Sequence, residues 1–557
     1  MTKKKYIIWS IAYLFVIGVY FCLIFRRNFY IQPFAAYDSA LQVKLASYLV
    51  KGQWLGPYNS ITLAKGISYP FFLAVLHFLK VPLWIGLGMF NLVAVGICCV
   101  IISVIISNNK LKWGLFTLLI LNPVLFDTSQ VTLYRDSLSY GLILLILAWI
   151  VGTFISVIKK KFSLFLCATF VGIISLPFWN NLREDAFWMY PFVIVGLFVS
   201  AVTAIVIYRK LKWKLVWLVL MLLPFSMSYI VNQTISKKNL QYYGSFVVND
   251  YNDGTFKSAY GALTNIKTNS WVINVPVNTE MREKAYRSVP AFKKLEQHLD
   301  NHGSGSMESF KNFGVKEPSR GNDYQGGWFF WALRGAVYDS GYGDNSKNAQ
   351  KYYKKIAKET NQAIATGKLN GYRKERESLT PKFNRQILVP TMKYIIKGSV
   401  QTVLYTGLKY QVKFNHANFM NPYFHFMSRF TKTGYPLQQS KQKITYKVLF
   451  LHVMRWGEVF VTILGFVMIL ICFSRTIKSC FNRNIKLYEF MYFTLTLGIL
   501  LEILLRLVMI GYVSTTSFKS FNIAYLSSIY PLFTIQAILS ITYFDYLKSN
   551  KKIRYNF

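Results

Sequence analysis

Acidic residues are scarce in this chain: 23 aspartates and glutamates stand against 64 lysines and arginines, a formal charge of +41 over 557 residues. Cysteine is scarcer still, with six in all. Five (Cys22, Cys98, Cys99, Cys167, Cys472) fall inside apolar runs, and Cys480 sits in a short basic loop. None remains to staple an exported domain. No cysteine spacing matches a zinc site, and the six histidines form no HExxH pair. There is no internal repeat and no low-complexity tract. These absences exclude a disulfide framework and the common zinc-hydrolase signatures.

Apolar residues are abundant. Hydrophobic residues make up 53% and aromatic residues 17% of the chain, with a mean hydropathy of +0.30. Several apolar runs exceed the roughly 18 residues needed to cross a bilayer, so the class is a multi-span membrane protein. In a soluble protein the positive charge would suggest nucleic acid. Here it clusters at the ends of apolar segments, where it sets topology and suits membrane lipid phosphates, and no nucleic-acid partner is expected.

Apolar length and basic flanks place ten spans, at about 6–25, 84–107, 113–128, 137–158, 162–179, 187–208, 214–233, 447–474, 487–512 and 525–546. With both termini cytoplasmic, the basic clusters Lys3 to Lys5, Lys110 and Lys112, Lys159 to Lys161, Arg209 to Lys214, Arg475 to Lys486 and Lys548 to Arg554 all fall inside. Arg26 and Arg27 run against this tendency. The first span follows MTKKK and has no cleavage site close behind it, so it reads as a retained signal anchor. Residues 69–83 read as a segment lying along or dipping into the membrane.

The expected fold is therefore an all-α polytopic membrane protein with a large, mainly helical extracellular domain that also contains some β-structure. Residues 1–233 form a seven-span module with its first external loop at 26–83, residues 234–446 the external domain, and residues 447–557 a three-span module. In the external domain, YNDGTFKSAYG and WVINVPVN suggest strand or irregular structure. Ser288 is placed to cap a helix through PAFKKLEQHL, Gly303 to Ser306 marks a loop, and two further helical patterns start at Trp328 and Ser346.

Because acids are rare, those near the outer membrane face are informative. Asp38 lies in the first loop, Asp127 and Asp136 flank the second (FDTSQVTLYRDS), and Glu184 and Asp185 lie in the third (NNLREDAF), with Arg135 and Arg183 adjacent. One reading is a set of loop-end charges that pair in the headgroup region. The other is a site for a phosphorylated, lipid-linked substrate, in which guanidiniums take the phosphate and a carboxylate acts as base or metal ligand. Lys65 is a further phosphate candidate, or a lysine that snorkels to a headgroup.

An acid soon after the first span, a lysine and proline-bearing segment (GQWLGPYNSITLAKGISYPFFLA) and an arginine–aspartate pair (LYRDSLSYGLILL, then NLREDAFWMYPF) resemble the glycosyltransferase C superfamily. The similarity is greatest to bacterial relatives of protein O-mannosyltransferases and the lipid A aminoarabinose transferase, and it covers the chain well up to about residue 233. FFWALRGAVYDSGY resembles the external loop of an uncharacterised envelope branch. The resemblance implies a polyprenyl-phosphate sugar donor, external chemistry and inverting transfer, with Asp38 as base and Asp136 as a second acid that supports it or a divalent metal. Where the mannosyltransferases carry a second acid after the first, this chain has Ser39, which leaves acceptor and metal open.

Late spans add ionisable groups: His452, Arg455 and Glu458 in one, Glu502 and Arg506 in the next. Such groups face protein or water-filled cavities, either pairing within the bundle or, for Arg455 and Arg506, contacting the donor phosphate. Glu184 and Asp185 are candidate supporting or metal-binding acids. Trp328 and Trp331 could stack on a sugar, or simply pack in a core. The expected function is transfer of a sugar to a cell-envelope acceptor: a glycan, a teichoic acid or a protein. A polysaccharide polymerase or ligase, and a lipid-linked sugar flippase, are the alternatives.

Overall fold

The computed structural model describes residues 3–25, 36–269, 271–300, 307–313, 323–410, 422–433, 445–482 and 485–554. Arg26, Arg27 and Gly303 to Ser306 lie outside the described residues. Among those described, nine helices are long and apolar enough to cross a membrane. The chain begins with α1 (Lys3–Phe25), then two short helices, α2 (Ser39–Val50) and α3 (Ser68–Phe78). At 11 residues, α3 is about 16 Å long, too short to span.

The first bundle continues with α4 (Leu83–Ser103), α5 (Asn109–Ile120), α6 (Ser139–Lys159), α7 (Phe162–Asn180), α8 (Tyr190–Ile207) and α9 (Leu211–Tyr243). Its hub is α6, buried along almost its whole length and packed against α4, α7 and α8. That is why its sequence is apolar all round rather than on one stripe.

A membrane-length helix expected at 113–128 does not form. Asn108 caps α5, which ends after 12 residues, about 18 Å, and the chain restarts as a 3-10 turn, Pro123–Phe126, with Asn122 as its own cap. Pro123 has no N–H to continue the ladder, and it biases Asn122 away from helical geometry. The apolar run is long enough to span, but the proline divides it.

Between the two membrane bundles lie α10 (Thr255–Thr264), α11 (Thr279–Ser288), the single turns α12 (Pro290–Lys293) and α13 (Glu296–Leu299), α14 (Trp328–Asp339), α15 (Ser346–Ala365), α16 (Arg385–Val403) and α17 (Pro422–Thr431). No strand forms among the described residues, only a single bridge between Ile266 and Gly371. The expected β-structure around TFKSAYG is helical instead, because Phe256, Ala259, Tyr260 and Leu263 fall on one buried face at helical spacing. Ser288 caps no long helix: it ends α11, and PAFKKLEQHL breaks into α12 and α13.

Leu41, Leu45, Leu55 and Leu63 of the first loop share one hydrophobic core with Phe256, Tyr260, Phe329 and Leu333 of α10 and α14. The first loop and the inter-bundle helices thus form one cap, fastened by Arg334. Its guanidinium, 2% exposed, bonds Asp250 and the carbonyls of Ser60 and Thr62. The C-terminal bundle comprises α18 (Thr445–Phe481), α19 (Leu487–Thr516), the turn α20 (Ile523–Leu526) and α21 (Tyr530–Arg554). It closes against α5, α6 and α8.

Candidate functional site

A cavity of about 640 Å3 opens where the cap meets both bundles, within the usual roughly 300–1,000 Å3 of small-molecule sites. Asp38 stands in its wall at the position preceding α2. An aspartate there normally caps the helix by accepting from a backbone N–H; this one makes no such bond. Its carboxylate turns into the cavity instead, where Lys65 Nζ donates to Oδ1 at 3.0 Å. The two side chains differ in access, 43% exposed for Asp38 and 6% for Lys65. No other hydrogen bond to the Asp38 carboxylate is found among the described residues. Next to it, Ser39 Oγ donates to the Leu133 carbonyl at 2.5 Å and locks the loop to the chain entering α6.

The strap carrying Lys65 is held from both sides. On the cap side, Arg334 bonds the Ser60 and Thr62 carbonyls, and Asp250 N donates to the Leu63 carbonyl at 2.9 Å. On the membrane side, Ser68 N donates to the Asn181 carbonyl at 3.1 Å. Gly66 lies so close to that carbonyl that a Cβ would fall 2.1 Å from its oxygen. Only glycine permits this approach of loop to bundle.

Two arginines form the cavity floor. Arg135 opens the 3-10 turn Arg135–Leu138 and donates to Glu184 at 2.5 Å. Arg183 bonds Asp136 and donates to Asp185 at 2.6 Å, and it lies over the Tyr525 ring at 4.7 Å. Arg506 from α19 completes the chain: it donates to Asp185 at 2.7 Å and to the Tyr525 carbonyl, and it stacks on Trp188. Charges alternate along Arg506, Asp185, Arg183 and Asp136, so each buried ion has an opposite partner.

The electrostatics follow from this pairing. Burial works against the Asp38 charge, but Lys65 beside it and Arg135 behind it outweigh burial and hold its carboxyl below the ordinary aspartate range. Burial is likewise outweighed by Arg135 at Glu184 and by Arg183 and Arg506 at Asp185, and both carboxyls are held low. At neutral pH all three are carboxylates.

The cavity has two kinds of wall. Met509, Ile510 and Val513 on α19, with Phe518, make an apolar side. Asn180, Tyr190 and Asn232 from α7 to α9, with Asn252 and Lys257 from the cap, make a polar one. Here Asn180 donates to Tyr190 and Ser228, and Asn181 to Asn232. Trp331 roofs Lys65, its ring centroid 5.3 Å from Nζ.

Of the residues expected from sequence, Asp38, Lys65, Arg135, Arg183, Glu184, Asp185 and Trp331 line this cavity. Arg506 supports it from behind through Asp185. Asp136 is expected as a catalytic acid, yet its side chain is 1% exposed and absent from the cavity wall; its role here is to hold Arg183. Trp328 packs on Phe310 and Tyr37 instead of facing the cavity. Arg455 is remote, donating to the Leu404 carbonyl and lying over Trp456. Asp127 holds Ser129 and Lys409 N. Tyr134, Asn180, Asn232, Tyr251, Lys257 and Tyr525, none of them among the residues expected from sequence, also line the wall. Only Tyr134 and Asn180 stand close enough in sequence to Arg135 and Arg183 to have been suspected.

No group of three His, Cys, Asp or Glu side chains converges on a metal-sized site among the described residues. The site carboxylates are engaged by lysine and arginine. Comparison with family models, characterised proteins and solved structures finds no match for this chain.

Proposed function

We propose that this protein is a membrane glycosyltransferase that moves a sugar from a polyprenyl-phosphate donor to a hydroxyl of a cell-envelope acceptor. The observation that carries this reading is Asp38: an ionised, half-exposed carboxylate held by a single lysine, in a cavity whose floor presents the guanidiniums of Arg135 and Arg183, each paired with a carboxylate. The more deeply held Asp185 is clamped between two guanidiniums and suits structure, not proton transfer.

In the proposed reaction Asp38 accepts the proton of the acceptor hydroxyl while its oxygen attacks the anomeric carbon. The bond from that carbon to the phosphate oxygen breaks on the opposite face, inverting the centre, and polyprenyl phosphate leaves. The leaving group already carries negative charge, so it needs charge stabilisation more than protonation. Lys65, Arg135 and Arg183 would supply it, with Trp331 against the sugar. The apolar wall on α19 suits the start of the lipid chain, and the polar wall from Asn180 to Lys257 suits the acceptor.

A lipid-linked sugar flippase is the rival. It calls for polar groups along a path through the bilayer, whereas the cavity's polar groups gather where the cap meets the bundles. Purified protein in liposomes carrying a panel of polyprenyl-phosphate sugars, with cell-wall glycan and polyol-phosphate acceptors, separates the two. Release of polyprenyl phosphate with glycosylation of an acceptor supports transfer. Movement of intact lipid-linked sugar between leaflets, with no release, contradicts it.

A further inference from the structure

Helix α16 carries three distinct faces. Ile387, Thr391, Gly398 and Thr402 are buried against the protein, where Ile395 meets Gly511 and Thr391 bonds Thr515 near the end of α19. A second stripe, Leu388, Val389, Met392, Ile396 and Val400, is apolar and uncovered, from 44% exposed at Leu388 to 62% at Ile396. At 100° per residue these side chains centre about 140° from the packed face. On the other flank of the helix come Gln386, Lys393, Lys397 and Gln401, also exposed. Neither lysine has an ion-pair partner among the described residues.

Three observations identify what covers the apolar stripe. It continues a lipid-facing belt: Leu501, Leu504, Leu505 and Val508 of α19 are each 40–50% exposed, and α16 packs on that helix one turn beyond, at Gly511 and Thr515. The stripe is flanked on one side by Lys393 and Lys397, cations suited to anionic headgroups at a lipid boundary. The segment just before α16, residues 377–380, also lines the cavity. We infer that α16, which runs antiparallel along the end of α19, stands at the lipid boundary, its Leu388–Val400 stripe facing the leaflet and Lys393 and Lys397 bound to anionic phospholipid headgroups. The lipid surface then lies level with the cavity, where a lipid-borne substrate would arrive. The inference stands without the transferase reading.

Nitroxide labels test it on the full-length chain in nanodiscs, after the six native cysteines are replaced by alanine or serine. Cysteines are introduced singly as Met392→Cys, Ile396→Cys, Lys393→Cys and Lys397→Cys, all at exposed positions. Leu504→Cys on the α19 belt and Lys347→Cys on α15 serve as lipid and water references. The ratio of oxygen to nickel-chelate accessibility at 392 and 396 should match that at 504 and exceed that at 393 and 397 several-fold. Adding Lys393→Glu and Lys397→Glu should lower the ratio at 392 and 396 in discs containing phosphatidylglycerol more than in pure phosphatidylcholine. Values like those at 347 would overturn the proposal. So would exclusion of both reagents, which marks a protein partner on the stripe, or no dependence on lipid charge.

Discussion

Arg506 on α19 and Asp185 in the turn after α7 are 321 positions apart in the chain and 2.7 Å apart in space. Their contact ties the C-terminal bundle to the floor of the cavity. Because Arg506 lies behind the cavity wall and bonds two residues that line it, Asp185 and Tyr525, it is a positioning residue. Replacing it by methionine leaves Asp185 with one guanidinium and lets Arg183 shift. A displacement near 1 Å is enough for a loss on the order of 100-fold in turnover. The expected signature is a fall in kcat with KM for the lipid donor little changed, and partial recovery in Arg506→Lys, which keeps the charge but not the second bond to the Tyr525 carbonyl.

Lys65 is the cation bonded to the Asp38 carboxylate. Its ammonium favours the ionised form of Asp38, so the acid limb of kcat/KM, which reports the free enzyme, should lie below the ordinary aspartate range. Removing the cation removes that support, and the carboxyl must then rise. In Lys65→Gln the acid limb should move to higher pH, with a plateau that is also lowered by loss of a phosphate contact. An unmoved limb would separate Lys65 from Asp38 in function.

Gly66 is the point where strap and bundle touch. Gly66→Ala must push the strap off the Asn181 carbonyl, with strain of about 1–3 kcal/mol. Gly114→Ala is the control, since a Cβ there meets nothing within 4 Å. Thermal unfolding in detergent should fall for the first and stay level or rise for the second.

Arg334 fastens the first loop to the cap through Asp250 and two carbonyls. Breaking a buried pair by truncating one partner costs roughly 3–5 kcal/mol, because the other charge is left unpaired. Arg334→Met should therefore melt well below wild type. The double variant Arg334→Met, Asp250→Leu should recover part of the loss, read in the same unfolding assay.

The membrane class and most of the spans are legible in the sequence because apolar length is a local property. Much of the cavity wall is legible for a different reason: acids are rare, so Asp38, Glu184 and Asp185 stand out, and Arg135 and Arg183 stand beside them. Other features depend on contacts the sequence does not display. Arg334 reads as an ordinary arginine on a helix until Ser60 and Asp250 are brought to it. Asp136 looks like its cavity-lining neighbours in charge and spacing, and only its burial against Arg183 distinguishes support from chemistry. Arg455 and Arg506 look alike on paper, each an arginine in a late span, but only α19 passes behind the third loop. Pro123 was visible throughout, and its effect on the apolar run at 113–128 follows from its missing N–H.

Asp38 is the residue on which the account turns. The decisive measurement is single-turnover release of polyprenyl phosphate by Asp38→Asn beside wild type, with the donor and acceptor that wild type uses, in the same lipid. Asparagine keeps the size and the polar contact to Lys65 but cannot take a proton at neutral pH. A loss of at least ~100-fold, with donor binding preserved, is the predicted result; release at near wild-type rate would contradict the account.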